Sequence, residues 1–298
     1  MQWIDSESYF EVLPPKQFNF DACLVYLDRS NLEVLHQITD SSIYKVISET
    51  LCKVTSVNHR IKIEFPMGVP PAAERKKVAQ YIWEWFDLEQ NLEGFYQLAS
   101  QDKILKPLVE KYYGLRIVCI PDLFEAFVWA ITGQQINLTF AYTLKKRLIE
   151  KFGEYVIFEG KQFWKFPTAG KIADLTVEDL KQLQFTTRKA EYIINVAREI
   201  VNGNLSKEKL LEMKDIEKSL TSIRGIGAWS ANYVMMRCLH QSAAFQITDV
   251  GLHNALKALL HLEEKPTINQ IEAYAANWQG WQGYATFYLW RSLYGEKI

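Results

Sequence analysis

The sequence has no apolar run approaching the ~20 consecutive residues needed to span a bilayer, which excludes a transmembrane helix. It has no excess of charge of either sign: 34 Lys and Arg stand against 35 Asp and Glu, a formal net charge of −1. A whole-molecule basic field is therefore absent, and any contact with nucleic acid must come from a local patch. Cysteine is scarce. Cys23, Cys52, Cys119 and Cys238 are widely scattered with no C-x-x-C pair, a spacing that supports neither a zinc site nor an iron–sulfur cluster and points to reduced, buried thiols. The opening residues, MQWIDSESYF, contain no basic segment followed by an apolar core, so no secretory signal is expected and a cytoplasmic location is.

What is present is a chain able to bury sizeable cores. Of its 298 residues 48% are hydrophobic and 23% charged, which rules out a disordered or low-complexity protein, and the length corresponds to two or three domains at about 100–200 residues each. Nine Trp, fifteen Tyr and sixteen Phe make up 13% of the chain. Most belong in cores, but they are also a supply of flat surfaces on which bases can stack.

Residues 18–65 read as strands. FNFDACLVYLD, NLEVLHQI and HRIKIEF carry short alternating or β-branched runs, broken at Asp28–Asn31, Thr39–Ser42 and Asn58–His59. PMGVPP at 66–71 ends the pattern. The next stretch, AAERKKVAQYIWEWF, places Val78, Ile82, Trp85 and Phe86 at helical spacing, so an α+β domain is expected to end near residue 88. Beyond it the chain reads as almost wholly helical. Asp122 is a candidate N-cap for LFEAFVWAIT, and Ala141, Leu144, Leu148 and Phe152 form one stripe closed by Gly153. Short helices follow at Val177–Gln182, Arg188–Val201 and Lys207–Met213.

The most informative stretch is LTSIRGIGAWSANY, Leu220–Tyr233. Two glycines flanking one apolar residue, between a short helix and a longer one, make a tight turn that exposes backbone N–H groups at a helix N-terminus. Such a terminus favours an anion, and without side chains at Gly225 and Gly227 a phosphate can approach the backbone closely, with Ile226 plugged into the core. The same spacing fits an ordinary helix–helix turn, and glycine spacing alone does not separate the two. Asp249 follows 22 residues after Gly227, just before a new helix. It is either an N-cap or a carboxylate placed to oppose a developing positive charge or to activate water.

Several ordered segments together carry a resemblance: WFDL near Trp85, PDLFEAFVWAITGQQI from Pro121, the glycine hairpin with WSANY, TDVGLHNAL, and NWQGWQGYATFYLW near the C-terminal end. In these the sequence resembles the helix-hairpin-helix (HhH-GPD) DNA glycosylase superfamily, within it the bacterial 3-methyladenine DNA glycosylase II type. The resemblance implies an α+β fold of three parts: a small N-terminal α+β domain (1–88), a central helical domain with the hairpin (121–240), and a second helical domain from 89–120 and 241–298 that completes a cleft for a flipped nucleotide. It implies a monomer acting on double-stranded DNA containing damaged bases, with no membrane and no organic cofactor.

Residue by residue, Asp249 matches the catalytic aspartate. Gly225, Ile226 and Gly227 match the hairpin that holds the DNA backbone, and the carbonyls of Thr221, Ile223 and Ile226 match a site for a structural monovalent cation. Trp229, Tyr233 and Trp290 match aromatic positions of the base pocket, with Gln134 beside them. Gln135 falls where a residue fills the vacated stack, although the best-known bacterial members have a bulky apolar wedge there. Each aromatic is alternatively plain core. Arg188, Lys189 and Arg224 are candidates for phosphate contact, or else solvated surface charges. Strand-cutting members carry a lysine nucleophile shortly after the second hairpin glycine, where this sequence has Trp229, so a monofunctional enzyme using water is implied. Alkylated purines are the expected substrates, with deaminated or oxidised bases, or a non-catalytic DNA-binding module, as the alternatives.

Overall fold

The computed structural model describes residues 1–295. The chain begins with strands β1 (Trp3–Asp5) and β2 (Tyr9–Val12), helix α1 (Phe20–Leu27), and strands β3 (Gln37–Thr39), β4 (Ser42–Ile47), β5 (Thr50–Val57) and β6 (Arg60–Glu64). The strands form one antiparallel sheet in the order β1-β2-β6-β5-β4-β3. Its register lines up Phe10, Ile63, Val54 and Ile43 across four neighbouring strands, all fully buried, so one face of the pleat belongs to the core. The turns expected at Thr39–Ser42 and Asn58–His59 are tight hairpins, with Asp40, Ser41, Asn58 and His59 all at left-handed φ.

FNFDACLVYLD departs from the strand expectation: it is helix α1. The Asn19 side chain caps it by accepting the Ala22 N–H at 3.0 Å, and six of its eight residues are buried. A helix buried nearly all round shows no 3.6-residue stripe, so its apolar run looks like a strand, and the Asn cap is the signal that decides. In NLEVLHQI only Gln37 and Ile38 enter a strand. The remainder is a loop in which Glu33 turns inward, accepting the Val34 and Leu35 N–H groups and ion-pairing with Lys145. The lysine holds the Glu33 carboxyl well below the usual range against the opposing effect of burial.

Helix α2 (Ala72–Trp85) packs against β2 as its periodicity predicts. It is followed by α3 (Glu93–Gln101), α4 (Leu105–Lys111), α5 (Leu123–Thr132) and α6 (Leu138–Phe152). Asp122 caps α5, accepting the Glu125 N–H, and every residue of α5 is buried. Gly153 closes α6 because a Cβ there would strike the carbonyl oxygens of Ile149 and Lys165.

The stretch read as almost wholly helical contains a hairpin, β7 (Glu154–Phe158) and β8 (Lys161–Lys165), turned at Glu159–Gly160 with both at left-handed φ. β8 packs on β4, with Phe163 against Val46 and Leu51. The chain continues through α7 (Ala169–Ala173), α8 (Val177–Lys181), α9 (Thr187–Val201), α10 (Lys207–Glu212), α11 (Ile216–Thr221), α12 (Ala228–Arg237), α13 (Val250–Leu259), α14 (Ile268–Ala275) and α15 (Gln282–Ser292). α5 lies against α6, α9 and α12, while α15 packs on α4 and α13. Arg116, fully buried, ties the parts together by donating to the carbonyls of Gln17, Asp87 and Gln90. Among the described residues no helix is long and apolar enough to cross a membrane.

Candidate active site

The turn between α11 and α12 has the shape its glycines require. Gly225 sits at φ +94°, a conformation L side chains rarely adopt, and a Cβ on it would overlap the Tyr192 ring. Ile226 is buried at 3% exposure and anchors the turn. Gly227 differs. Its φ of −87° suits any residue, a Cβ would meet nothing within 4 Å, and as N-cap of α12 it offers no side-chain hydrogen bond. The first turn of α12 thus has no side-chain cap, and the space beside Gly227 is open. Asp122, Asn137, Thr186 and Asp249, by contrast, cap their own helices with side-chain oxygens. On the other side of the turn Ile223 accepts the Ile226 N–H, while the carbonyls of Thr221 and Ile226 accept no hydrogen bond among the described residues.

Asp249 is the N-cap of α13, its Oδ1 accepting the Leu252 N–H at 2.8 Å. It is more than a cap. The Trp290 indole donates to Oδ1 at 2.7 Å and the Trp229 indole to Oδ2 at 3.0 Å, so three N–H donors from α12, α13 and α15 converge on one half-buried carboxylate. Trp229 stacks on Tyr233 with ring centroids 5.4 Å apart, and Tyr233 lies 6.2 Å from Trp290. The Tyr233 hydroxyl accepts from Arg237 at 2.7 Å, and burial pushes its phenol up, so it stays neutral. One tryptophan pair thus holds the carboxylate and walls an aromatic box at the same time.

The loop between α5 and α6 faces this hairpin. Gln134 donates to the Gly225 carbonyl and to Ser230 Oγ, both at 2.9 Å, so its N–H groups tie the two loops together. Gln135 beside it is exposed at φ +54°, a strained conformation for a residue with a side chain, held by its neighbours. Lys189 turns inward instead of reaching solvent: its Nζ donates to the carbonyls of Thr132 and Gln134, both at 2.8 Å, and burial lowers its pKa. It braces the loop and is not placed for phosphate contact. Arg188 and Arg224 are exposed, the latter paired with Glu191 at 2.8 Å.

Two residues escaped the reading of the sequence. Gly251 lies where a Cβ would come within 2.9 Å of Asp249 Oδ1 and 3.1 Å of the Trp290 indole nitrogen. Its signal was its place in TDVGLHNAL, two residues past the carboxylate. Arg237, 3% exposed, donates to both the Tyr26 and Tyr233 hydroxyls at 2.7 Å and so positions the box from behind. A lone arginine at a helix end carries no sequence signal for that.

Residues 128–280 match the family model of the HhH-GPD superfamily base excision DNA repair proteins, and residues 13–127 that of the 8-oxoguanine DNA glycosylase N-terminal domain. The DNA-3-methyladenine glycosylase of Bacillus subtilis (strain 168) is 44% identical, over 99% of this chain and all of the relative. The DNA-3-methyladenine glycosylase 2 of Escherichia coli (strain K12) is 29% identical over 78% of this chain and 77% of its own. Among solved structures, the 3-methyladenine DNA-glycosylase from Archaeoglobus fulgidus superposes with a TM-score of 0.78 at 22% identity, covering 97% of this chain and 99% of that one. The Clostridium acetobutylicum 8-oxoguanine glycosylase/lyase bound to double-stranded DNA gives 0.76 at 20% identity, covering 100% and 99%. The fold and the hairpin are those of a DNA-binding base-excision glycosylase. The chain belongs to the HhH-GPD superfamily of base excision DNA repair proteins.

Membership gives Gly251 a test. Gly251→Ala pushes a methyl against the Asp249–Trp290 bond. Base release is expected to fall about 10–100-fold, the range a displacement of about 1 Å produces in an oriented site, with no loss of duplex affinity in a gel-shift measurement.

Proposed function

We propose that this protein hydrolyses the N-glycosidic bond of alkylated purines in double-stranded DNA, as a monomer, leaving an abasic site and an uncut strand. The observation that carries the reading is the Asp249 carboxylate held by the Trp229 and Trp290 indoles, with Trp229 standing where, by the resemblance noted above, strand-cutting members carry a lysine. The 44% identical relative is named as a 3-methyladenine glycosylase, which supports the substrate class.

The chemistry then follows from charge. A purine alkylated at N3 or N7 is already cationic and leaves without help from a general acid. Stacked against Trp229, Tyr233 and Trp290, it gains about 0.5–2 kcal/mol per well-placed ring over a neutral base. Asp249 faces the sugar, opposes the oxocarbenium character that develops as the bond breaks, and orients water. The uncapped N–H groups behind Gly225, Ile226 and Gly227 bind a phosphate, with Arg224 at the rim. Gln135, projecting from its braced loop, enters the stack the base has left. The two unpaired carbonyls of Thr221 and Ile226, with that of Ile223, fit an oxygen-liganded monovalent cation, which supplies positive charge beside the phosphate when bound.

A second reading rests on residues 13–127, which match an 8-oxoguanine glycosylase domain. One assay separates them. Purified protein is given duplexes bearing 3-methyladenine, 7-methylguanine, hypoxanthine, uracil or 8-oxoguanine, and free base is measured. Alkylated bases are expected to be released fastest, with strand breaks appearing only after alkali. Borohydride is expected to trap no covalent protein–DNA adduct, and efficient trapping overturns the hydrolytic reading.

A further inference from the structure

Three side chains of metal-ligating type, from segments far apart in the sequence, converge near the backbone that clasps Arg237. Asp87 follows the end of α2, Cys119 precedes α5, and His240 follows the end of α12. The His240 Nδ1 lies 2.7 Å from Asp87 Oδ1 and 3.6 Å from Cys119 Sγ, and all three ligand atoms fall within 4.8 Å of one another. Asp87 and Cys119 are buried, while His240, its side chain 27% exposed, forms the rim. The residues flanking Cys119 grip Arg237: the Val118 carbonyl accepts its Nε–H at 2.7 Å, and the Ile120 N–H donates to its carbonyl at 2.6 Å.

The spacing suits a small ion. With metal–sulfur bonds of about 2.3 Å and metal–nitrogen bonds of about 2.0–2.1 Å, a tetrahedral centre sets sulfur and nitrogen about 3.5 Å apart. The observed 3.6 Å is already that edge. The same geometry asks for about 3.3 Å between nitrogen and oxygen, so the carboxylate has to recede by about 0.6 Å from its hydrogen bond to the ring. Its other oxygen is oriented in advance: Oδ2 accepts from the buried Tyr284 hydroxyl, the kind of outer hydrogen bond that aims a ligating carboxylate. The ring's Nε2 is buried and has no hydrogen-bond partner among the described residues, so the polar contacts of this imidazole lie on its Nδ1 side, within the cluster.

A thiolate sulfur, an imidazole nitrogen and a carboxylate oxygen together are a donor set for Zn²⁺, whereas Mg²⁺ and Ca²⁺ take oxygen. We propose that Asp87, Cys119 and His240 bind one Zn²⁺, with water as the fourth ligand at the His240 rim, and that the ion fastens the ends of α2 and α12 to the segment ahead of α5. Binding releases the thiol proton to solvent and moves the proton of the neutral imidazole from Nδ1 to Nε2, so one proton leaves for each ion bound. Cysteine spacing could not announce such a site, because only one of its ligands is a cysteine.

The test frees the full chain of metal with a chelator and titrates it with Co²⁺, a spectroscopic substitute for Zn²⁺ whose bond to a thiolate gives a charge-transfer absorption. The band is expected to saturate at one ion per chain and to be bleached by Zn²⁺. Cys119→Ser is expected to abolish it, whereas Cys52→Ser, in β5, is expected to leave it. Tyr284→Phe is expected to weaken binding about 10–100-fold, the effect of losing an outer hydrogen bond, and His240→Asn by more. Asparagine tolerates the left-handed φ of +56° found at His240, so that variant keeps the comparison if Cys119→Ser does not fold. Zn²⁺ is also expected to raise the melting temperature of the wild type but not of His240→Asn, as a ligand of the native state must. A wild type without the band overturns the proposal, as does a band that survives Cys119→Ser or an affinity unchanged by His240→Asn.

Discussion

Asp249→Asn is expected to lower single-turnover base release by at least about 10²–10³-fold while the protein stays folded. The loss corresponds to one preorganised electrostatic group facing a developing charge, roughly 3–4 kcal/mol. Asparagine caps helices about as well as aspartate, so the Leu252 N–H and the Trp290 indole keep an acceptor in Oδ1. The amide nitrogen replaces Oδ2 and turns a donor toward the Trp229 indole. One orphaned donor costs about 1–3 kcal/mol, which lowers the melting temperature by only several degrees in a chain of this size. Affinity for a duplex carrying an abasic-site analogue is expected to change far less than the rate. Near-normal release would reduce Asp249 to a cap, and unfolding would leave its catalytic role unsupported.

The two hairpin glycines are expected to fail in different ways, and Gly225 more severely. Gly225→Ala places a methyl inside the Tyr192 ring and forces an L residue to φ +94°. The backbone conformation alone costs about 1–2 kcal/mol, and the overlap must be relieved by moving either the hairpin or α9. Thermal stability and DNA affinity are expected to fall together. Gly227→Ala meets no protein atom and leaves φ in the ordinary range, so its stability is expected to match the wild type. Its methyl instead occupies the approach to the uncapped N–H groups of α12. Binding to damaged and undamaged duplexes is therefore expected to weaken about tenfold, the worth of about one phosphate hydrogen bond. Undiminished binding by a folded Gly227→Ala protein would remove the phosphate from that helix end.

Much of this site was legible because its chemistry is local in sequence. The turn at Gly225 and Gly227 and the cap at Asp249 each declare themselves within a few residues, since glycine freedom and capping are short-range effects. The helices α2, α5 and α6 were equally readable from stripe and cap. What escaped is long-range. That the Trp229 and Trp290 indoles meet on one carboxylate depends on α12, α13 and α15 coming together, and indole spacing in the sequence says nothing of it. Lys189 illustrates the reverse error: a lysine at a helix start reads as surface charge until the ends of α5 and its loop supply two carbonyls to bury it. α1 was misread as a strand because burial on every side erases periodicity. The β7–β8 hairpin was overlooked although its Glu-Gly turn stood between EYVIF, with its aromatic and β-branched residues, and the aromatic KQFWK.

The four cysteines have a consequence for durability. All are free and buried, and burial pushes the Cys23 and Cys238 thiols up to about 12 and raises those of Cys52 and Cys119 as well. The thiolate, the form that attacks electrophiles, is therefore almost unpopulated at neutral pH. Small alkylating agents that scar DNA seek the same kind of soft nucleophile in proteins, and this chain hides all four of its own. Its cysteines are thus poor targets for an exposure that would damage DNA around it.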